Sequence, residues 1–454
     1  MIRRLALLIL AMTSLAAAGA AEAAASQVLR VDGGRTTTVE DPYLPPPALT
    51  DLAPAPPRGK GTRARSAQSG PSVYAALEAA VAAGRVTAEQ QAGYRTVYEA
   101  ARQARGGLPR AQRTQLSSAV VTLERIAGRG QLVPERMPAL FLQLERNLEF
   151  WPSNRVPPAG TRVVFAGSPV VFQVYPGQGL QLQPLGNFGK ANALYNACTD
   201  PNPKLPPCDR EALRSLLDWM LAVAGRRGDF TAWEYFFRFG RGEPVWTSGL
   251  SQGTAVQAMA RGGSLLGDTA YRDAALAGLG AFETPAPVGV RVPSAGGAHY
   301  LIYSFDRRLR VLNGFLQAVT GLYDVAKITG DPRAQALFAA GDRAARREIP
   351  RYDTGKWSRY SLRGSAADLG YHRLVRDFLG NLCQRTRTRV YCATQARFTR
   401  YLRNPENVRK YAGPKRTSAR KPSDVRSPTA GPVRISLLVE EGRRTLRFEG
   451  VGGG

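Results

Sequence analysis

The chain has 454 residues, and 62 Lys and Arg against 35 Asp and Glu give it a formal net charge of +27. This length allows two or three domains with a sizeable core. The basic balance favours an anionic partner, and for an exported protein we expect acidic polysaccharide rather than nucleic acid. Part of the charge lies in the tail after Arg400, so charge alone does not identify a substrate.

The N-terminus has the pattern of a secretory signal peptide over residues 1–25. Arg3 and Arg4 form the basic start, Leu5 to Leu15 the apolar stretch, and Ala23 to Ala25 a small-residue cleavage site before Ser26. An uncleaved membrane anchor is the alternative. No later apolar run approaches the roughly 20 residues that span a bilayer. We therefore predict a secreted or periplasmic protein without a membrane span after signal removal.

Composition divides the rest of the chain into five regions. A short β element is expected over Val28 to Val39, within a segment otherwise rich in Pro and Gly. The predicted regions are a Pro/Gly-rich linker (26–71), an N-terminal helical region (72–150), a β-rich segment (151–185), a helical domain (186–395), and a basic linker with a β-hairpin tail (396–454).

The helical domain contains consecutive amphipathic segments with almost no strands between them. Leu312, Phe315, Leu316 and Val319 illustrate the core-facing spacing of three and four residues. Such a series argues against a doubly wound sheet. It favours a mainly α fold, an α/α toroid or incomplete barrel in which loops at one end surround a cleft.

The four cysteines fit an oxidising compartment. Cys198 and Cys208 bracket a Pro-rich loop, and Cys383 and Cys392 bracket a basic one, so local pairs are the simplest prediction. Sequence alone allows three pairings, and free buried thiols are an alternative. A zinc site is disfavoured because there is no CxxC and the chain has two histidines.

Tyrosine, arginine and histidine are concentrated between residues 352 and 372. Arg363 follows Tyr360 by three positions, and His372 is adjacent to Tyr371. A nearby cation would stabilise a phenolate and lower the tyrosine pKa from its usual value of about 10, which suits proton transfer. A polar loop between helices is the alternative explanation.

Further motifs precede and accompany this segment along the chain. Tyr303, the LNGF motif at 312–315, GLYD at 321–324, YDTG at 352–355, YSLR at 360–363 and Tyr371-His372 occur in that order. Over roughly residues 185–383 the chain resembles the C-terminal catalytic domain of D-glucuronyl C5-epimerases. The resemblance implies a toroidal fold and inversion of glucuronate to iduronate within an acidic polysaccharide.

The resemblance also implies roles for individual residues. Tyr303, Tyr360 and Tyr371 match the family's catalytic tyrosines, and Arg363 matches an arginine expected to hold the substrate carboxylate. No cofactor is implied, and the absence of GxGxxG and GxxxxGK[ST] motifs argues against nicotinamide chemistry. One departure stands out, since Ile302 occupies the position where the family has an acidic residue.

Four further residues are candidates for substrate binding. Lys190 and Asn187 follow the β-rich segment and could contact a sugar acid, although a loop-to-helix junction would explain them equally well. Trp357 could stack on a sugar, but a buried aromatic is commoner in a toroid. His372 could line the cleft, as could His299.

Three function classes remain open from sequence. A uronic-acid epimerase leads, a polysaccharide lyase shares its first step, and a non-catalytic binder of acidic glycan would need only the basic cleft. Gly249 to Gly253 reads GLSQG and fits the GxSxG pattern of serine hydrolases, but the alternating strands of that fold are missing. A tightly packed helix is the preferred interpretation of those small residues, and a homodimer is possible.

Overall fold

The structure, a computed structural model, describes residues 26–46, 70–294, 296–412 and 433–450. The predicted signal peptide (1–25), most of the Pro/Gly-rich linker and part of the basic linker lie outside these residues. None of the described helices is both long and apolar enough to cross a membrane.

A five-stranded sheet precedes the helical domain. Its strands are β1 (Ser26–Asp32), β2 (Arg35–Asp41), β3 (Arg162–Phe165), β4 (Ser168–Tyr175) and β5 (Gly179–Leu182), in the order β2-β1-β3-β4-β5. β1 pairs in parallel with β3, with Leu29 opposite Val163, and the other pairs are antiparallel. The first two strands therefore belong to the same sheet as the β-rich segment, although about 120 residues separate them.

Four helices lie between β2 and β3. They are α1 (Val73–Ala82), α2 (Ala88–Ala104), α3 (Arg110–Gly128) and α4 (Met137–Phe150). Thr87 and Gln90 form a capping box that starts α2. Leu116, Val120 and Leu123 form the expected buried face of α3. Helix α4 is buried on all sides, because α2 and α3, β5 and the C-terminal hairpin all pack on it.

The helical domain consists of paired inner and outer helices. They are α5 (Pro184–Thr199), α6 (Arg210–Ala222), α7 (Gly249–Leu266), α8 (Thr269–Gly278), α9 (Gly280–Glu283), α10 (Leu312–Thr329), α11 (Pro332–Glu348), α12 (Leu369–Thr386) and α13 (Arg389–Tyr401). Inner helices α5, α7, α10 and α12 pack in that order, and α6, α8, α11 and α13 pack each on the inner helix before it. The ring stays open between α12 and α5, so the predicted incomplete α/α toroid is confirmed.

Local sequence explains where these helices begin and end. Ser248, Asp331 and Asp368 cap the N-termini of α7, α11 and α12 with their side-chain oxygens. Helices α7 and α10 end at Gly267 and Gly330, both with φ of 69°, a left-handed conformation that suits glycine. The loops contain two short hairpins, β6 (Gly225–Arg227) with β7 (Phe230–Ala232) and β8 (Arg291–Ser294) with β9 (Gly297–Tyr300).

Glycines set the distance between the two central helices. A Cβ on Gly321 of α10 would lie 2.1 Å from the carbonyl oxygen of Gly253 on α7. A Cβ on Gly253 would lie 2.7 Å from the Cα of Ala318. Gly253 is the last residue of the GxSxG match, so the small residues there do allow a close helix approach.

Two disulfides join inner helices to the elements that follow them. Cys198 is bonded to Cys208, which fixes the end of α5 to the loop before α6. Cys383 is bonded to Cys392, which links α12 to α13. These are the two local pairs that the sequence favours.

A C-terminal hairpin follows the short helix α14 (Pro405–Lys410). It packs against helices that lie much earlier in the sequence. Its strands are β10 (Val433–Glu440) and β11 (Arg443–Gly450). Arg444 forms ion pairs with Asp218 of α6 and Asp268 before α8. The Phe448 ring meets Tyr94 of α2 edge-to-face at 4.9 Å. The hairpin thereby connects the N-terminal helices to the toroid.

Candidate functional site

A groove of about 540 Å³ lies between the four inner helices. Its lining repeats at spacings of three and four residues: Gly189, Asn192 and Asn196 from α5, Leu250, Thr254, Gln257 and Arg261 from α7, Asn313, Gln317 and Thr320 from α10, and Leu374, Phe378, Asn381 and Arg385 from α12. Arg162 of β3 borders the groove as well. Six amide side chains and three arginines in this lining can form hydrogen bonds with a hydroxyl-rich ligand.

The N-termini of the inner helices meet at one end of this groove. Tyr371, in the first turn of α12, contacts the start of α10, and the N–H of Gly249 at the start of α7 donates to Leu301, two residues before Tyr303. Helix N-termini carry partial positive charge, so this end favours a negatively charged group. We call it the tyrosine end.

The three tyrosines expected from the resemblance do come together at the tyrosine end. The rings of Tyr360 and Tyr371 lie 4.8 Å apart. The Tyr303 side chain lies close enough to Tyr360 to oppose the rise in the pKa of Tyr360. Three residues from different loops and a helix therefore form one cluster, although their sequence positions span almost 70 residues.

Tyr371 is the most buried of the three tyrosines. It is buried, and its hydroxyl accepts from the N–H of Asn313 at 3.0 Å and donates to the Tyr360 carbonyl at 2.9 Å. Asn313 is fully buried and lines the groove, and its Oδ1 accepts from the Gly314 N–H. Its Nδ2 has no partner among the described residues. Asn313 thus offers a buried donor beside the groove.

The electrostatics of the cluster differ from the prediction. Burial raises the pKa of Tyr360, and it raises the pKa of Tyr371 well above the usual value of 10. Arg363 is exposed on the turn after Ser361 and is not among the groups that shift either pKa. The expected lowering by a neighbouring cation is therefore not found, and Tyr360 and Tyr371 are neutral at pH 7.

Two predicted ligands on α5 are engaged elsewhere. The side chain of Asn187 is fully buried, accepts from the Val171 N–H and donates to the carbonyls of Val171 and Gln183. It fastens α5 to β4 and has no group left for a sugar. Lys190 forms a 2.8 Å ion pair with Asp41 of β2. Both residues serve the junction between sheet and toroid, which was the alternative explanation.

Trp357 and His372 are also buried rather than exposed to the groove. The Trp357 ring is stacked between His372 at 3.8 Å and Tyr411 at 4.7 Å. His372 Nδ1 lies 2.8 Å from Ser358 Oγ and Nε2 lies 3.0 Å from the Phe398 carbonyl. Burial lowers the pKa of His372 to about 4, so the ring is neutral. The predicted substrate contacts of both residues are corrected to structural roles.

The opposite end of the groove contains an ion-pair network that the sequence did not reveal. Asp324 accepts from Arg261 of α7 at 2.7 Å and from Arg385 of α12 at 2.8 and 3.1 Å. Gln257 donates to the same carboxylate, and Arg261 also binds Asn192 of α5. We call this the arginine end. It lies about 16 Å from Asn313, since 11 residues of α10 rise 1.5 Å each.

A second, much smaller cavity of about 20 Å³ adjoins the tyrosine end and shares Leu185 and Leu250 with the groove. Ile302, Tyr303, Tyr235 and Ser251 also line it. The hydroxyls of Tyr235 and Ser251 lie 2.5 Å apart. Sequence analysis missed Tyr235 because it belongs to no recognised motif, and it noticed Ser251 only through GxSxG.

Metal ligation finds no support in the described residues. They contain no group of three or more His, Cys, Asp and Glu side chains arranged to hold an ion. His299 is fully buried and bonded to Glu348, so it does not line the groove.

Residues 227–400 match the family described as D-glucuronyl C5-epimerase C-terminus. This confirms the resemblance for that part of the chain, which includes Tyr303, Tyr360 and Tyr371. A D-glucuronyl C5-epimerase of Caenorhabditis elegans is 31% identical over 149 residues, 28% of this chain and 24% of that protein. An uncharacterized protein of Methanocaldococcus jannaschii is 26% identical over 173 residues, 36% of this chain and 55% of that protein. The similarity therefore spans about a quarter and about half of the relatives' lengths.

Solved structures give weaker likenesses. An α-mannanase of Bacteroides thetaiotaomicron has a TM-score of 0.36 and 15% identity, covering 54% of this chain and 66% of that chain. The endo-β-1,4-glucanase CMCax from Acetobacter xylinum has a TM-score of 0.32 and 15% identity, covering 48% and 72%. These TM-scores are too low to assign a fold.

Proposed function

We propose that this protein inverts C5 of a hexuronic acid, of the D-glucuronate to L-iduronate type, within an acidic polysaccharide. The supporting observation is the cluster of Tyr303, Tyr360 and Tyr371 at the end of a basic groove, inside the region that matches the epimerase family. The coarser conclusion, a carbohydrate-modifying enzyme, follows from the family match alone.

The chemistry begins with a weakly acidic hydrogen alpha to a carboxylate. The C5–H bond breaks, a base takes the proton, and the electron pair spreads into the carboxylate to give an enolate-like dianion. Donors aimed at the developing charge lower the barrier. Asn313 Nδ2 and the N-termini of α7 and α10 are the candidates for this stabilisation.

Tyrosine suits the proton transfers because its pKa is close to that of a weak carbon acid. Burial moves the pKa of Tyr360 further in that direction. A neutral tyrosine donates well, and its rarely formed phenolate is a strong base. Arg363, exposed beside the cluster, is the candidate for binding the substrate carboxylate once the polymer is in place.

The test is incubation with uronic-acid polymers in deuterated water. Deuterium entering at C5, together with appearance of the inverted sugar, supports the proposal. Tyr300→Phe is a control for Tyr→Phe changes in the tyrosine cluster. Tyr300 is buried as well, but its hydroxyl binds the Leu337 carbonyl. Absence of C5 exchange on every uronic-acid polymer would reject the proposal in favour of a glycan-binding protein.

A polysaccharide lyase is the second candidate, and Ile302 is the observation that favours it. A lyase also removes the C5 proton but then expels the C4 substituent, and it needs no group to return a proton to the opposite face. Ultraviolet-absorbing unsaturated products in the same incubation would identify it.

Export through residues 1–25 is part of the proposal, since a bacterial-type envelope glycan would be met outside the cytoplasm.

A further inference from the structure

Inversion at C5 requires proton transfer on both faces of the sugar ring. A reacting group on each face lies about 3–3.5 Å from C5, so the two groups are about 6–7 Å apart. The rings of Tyr360 and Tyr371 lie 4.8 Å apart and Tyr303 adjoins Tyr360, so the cluster is compact and would meet a sugar ring from one face. Tyr371 is held by Asn313 and the Tyr360 backbone at the start of α10. The tyrosine cluster thus accounts for one face only.

Tyr235 lines the same small cavity as Tyr303. Its hydroxyl lies 2.5 Å from Ser251 Oγ and donates to Gln183 Oε1 at 3.2 Å. With that geometry the Ser251 hydroxyl donates to Tyr235. The ring is fixed by stacking on Trp246 at 4.3 Å, with an interplanar angle of 13°.

The cavity between these residues has the size of a single water site. Its volume is about 20 Å³, and a cavity of about 10–15 Å³ or more suffices for one water with polar partners. The hydroxyls of Tyr235, Ser251 and Tyr303 are such partners. A general acid or base can act through one intervening water.

We propose that Tyr235, supported by Ser251, is the proton-transfer group for the second face of the sugar ring and acts through one water in this cavity. The inference rests on the proposed function. In one direction the Tyr303–Tyr360 pair, as a phenolate, takes the C5 proton while Tyr235 gives its O–H proton through the water to C5. The phenolate left at Tyr235 is then reprotonated through the same water from the pair, which resets the site without any other reactant.

Ile302 explains why this chain would use such a group. It lines the same cavity as Tyr303 and Tyr235. A carboxylate at position 302 would face the same space and could accept or return the proton directly. With isoleucine there, the hydroxyl-bearing residues of the cavity are Tyr175, Tyr235, Ser248, Ser251 and Tyr303, and Tyr235 is the one paired with Ser251 at 2.5 Å.

The experiment compares two readouts in deuterated water, exchange at C5 and inversion at C5. We expect Tyr235→Phe to lower inversion by roughly 10²-fold or more while exchange with retained configuration continues on the face served by Tyr303 and Tyr360. Ser251→Ala removes only the supporting hydrogen bond, so inversion should fall by a smaller factor. Circular dichroism and thermal unfolding check that both variants fold.

The decisive variant is the double change Tyr235→Phe with Ile302→Glu, in which inversion should recover because a carboxylate replaces the lost group. Inversion at the wild-type rate in folded Tyr235→Phe overturns the inference. So does an equal loss of exchange and inversion that Ile302→Glu does not restore. The wild-type protein alone decides the proposed function, since that requires only that it exchange and invert, whereas the variants decide the role of Tyr235.

Discussion

The two ends of the groove differ in how their polar groups are paired. At the arginine end, Asp324 is bonded to Arg261, Arg385 and Gln257, which come from the two neighbouring inner helices. At the tyrosine end, the buried amide of Asn313 has a donor without a partner in the part of the chain that the structure describes, and hydroxyl groups border a water-sized cavity. Paired charges hold helices together, whereas unpaired donors are available to a ligand. We therefore assign stability to one end and chemistry to the other.

The largest effect is expected at the tyrosine end. Tyr360→Phe keeps the packing of the ring and deletes the hydroxyl, so C5 exchange should fall by about 10²–10⁴-fold with little change in unfolding temperature. Tyr371→Phe should lower both the rate of C5 exchange and the unfolding temperature. It also leaves the Asn313 N–H without its acceptor, which costs about 1–3 kcal/mol of stability. Exchange rates and thermal unfolding, measured on the same samples, separate the two. An active Tyr360→Phe enzyme would contradict the assignment of this end.

The arginine end should respond in the opposite way. Asp324→Asn leaves two half-buried guanidinium groups without their anion, and we expect a loss of about 3–5 kcal/mol in the free energy of unfolding. Asp377→Asn is the matched control, since it breaks an exposed pair with Arg376 and should cost less than about 1 kcal/mol. Denaturant unfolding measures both. If Asp324→Asn instead keeps its stability and weakens polymer binding, the two ends do not differ as stated.

A third buried cluster, formed by Glu145, Arg146 and Glu149 of α4, should make the free energy of unfolding depend on pH. Burial raises the pKa of Glu145 to about 7, with Glu149 adding to the shift and Arg146 and Arg434 opposing it. Because this folded pKa exceeds the unfolded value near 4.5, the contribution is most favourable at low pH. It declines as pH rises from about 4.5 to 7, by about 3 kcal/mol in total.

Glu145→Gln should remove that decline, and Glu78→Gln on the exposed face of α1 should not. His372 contributes a slope of the opposite sign, because its lowered pKa makes the folded state lose stability as pH falls from 6.5 toward 4. The difference between Glu145→Gln and wild type therefore isolates Glu145. Unfolding free energies at several pH values between 4 and 8 provide the measurement. A constant difference across that range would show that Glu145 is not the titrating group.

The smallest effect concerns substrate affinity. Asn313→Asp keeps the oxygen that accepts from Gly314 and replaces the unpaired donor with a negative charge, which repels a uronate. We expect KM to rise by about 10-fold, equivalent to about 1.4 kcal/mol. Asn381→Asp, placed beside Arg385 at the other end, should change KM less. Steady-state kinetics with polymer decides this, and equal effects at both ends would argue against a tyrosine-end subsite.

Sequence patterns predicted the toroid well because helical periodicity is local. The stripe from Leu312 to Val319 is buried as expected. The convergence of Tyr303, Tyr360 and Tyr371 came from motif order rather than from physics. The pairing of β1 with β3 was not predicted, because no local signal connects strands about 120 residues apart.

The misassigned residues share one cause. Trp357 and His372 were candidates for the cleft, yet Tyr411 and Phe398 cover them from segments that follow later in the chain. Lys190 looks available until Asp41, from a strand near the N-terminus, pairs with it. In each case a distant segment decides whether a side chain faces solvent, substrate or protein, and a single sequence does not contain that information.

The C-terminal hairpin has a consequence for the order of folding. Arg146 donates to the carbonyl of Ile435, a contact 289 residues away, and Arg444 reaches Asp218 across 226 residues. Contacts between such distant positions carry a large loop-closure entropy and form late. A chain emerging from its N-terminus would therefore lack the bond from Arg146 to Ile435 until almost all of it is available, although Arg146 can already pair with Glu145 and Glu149 of its own helix. That interval is when the N-terminal helices are most open to proteolysis and misassembly.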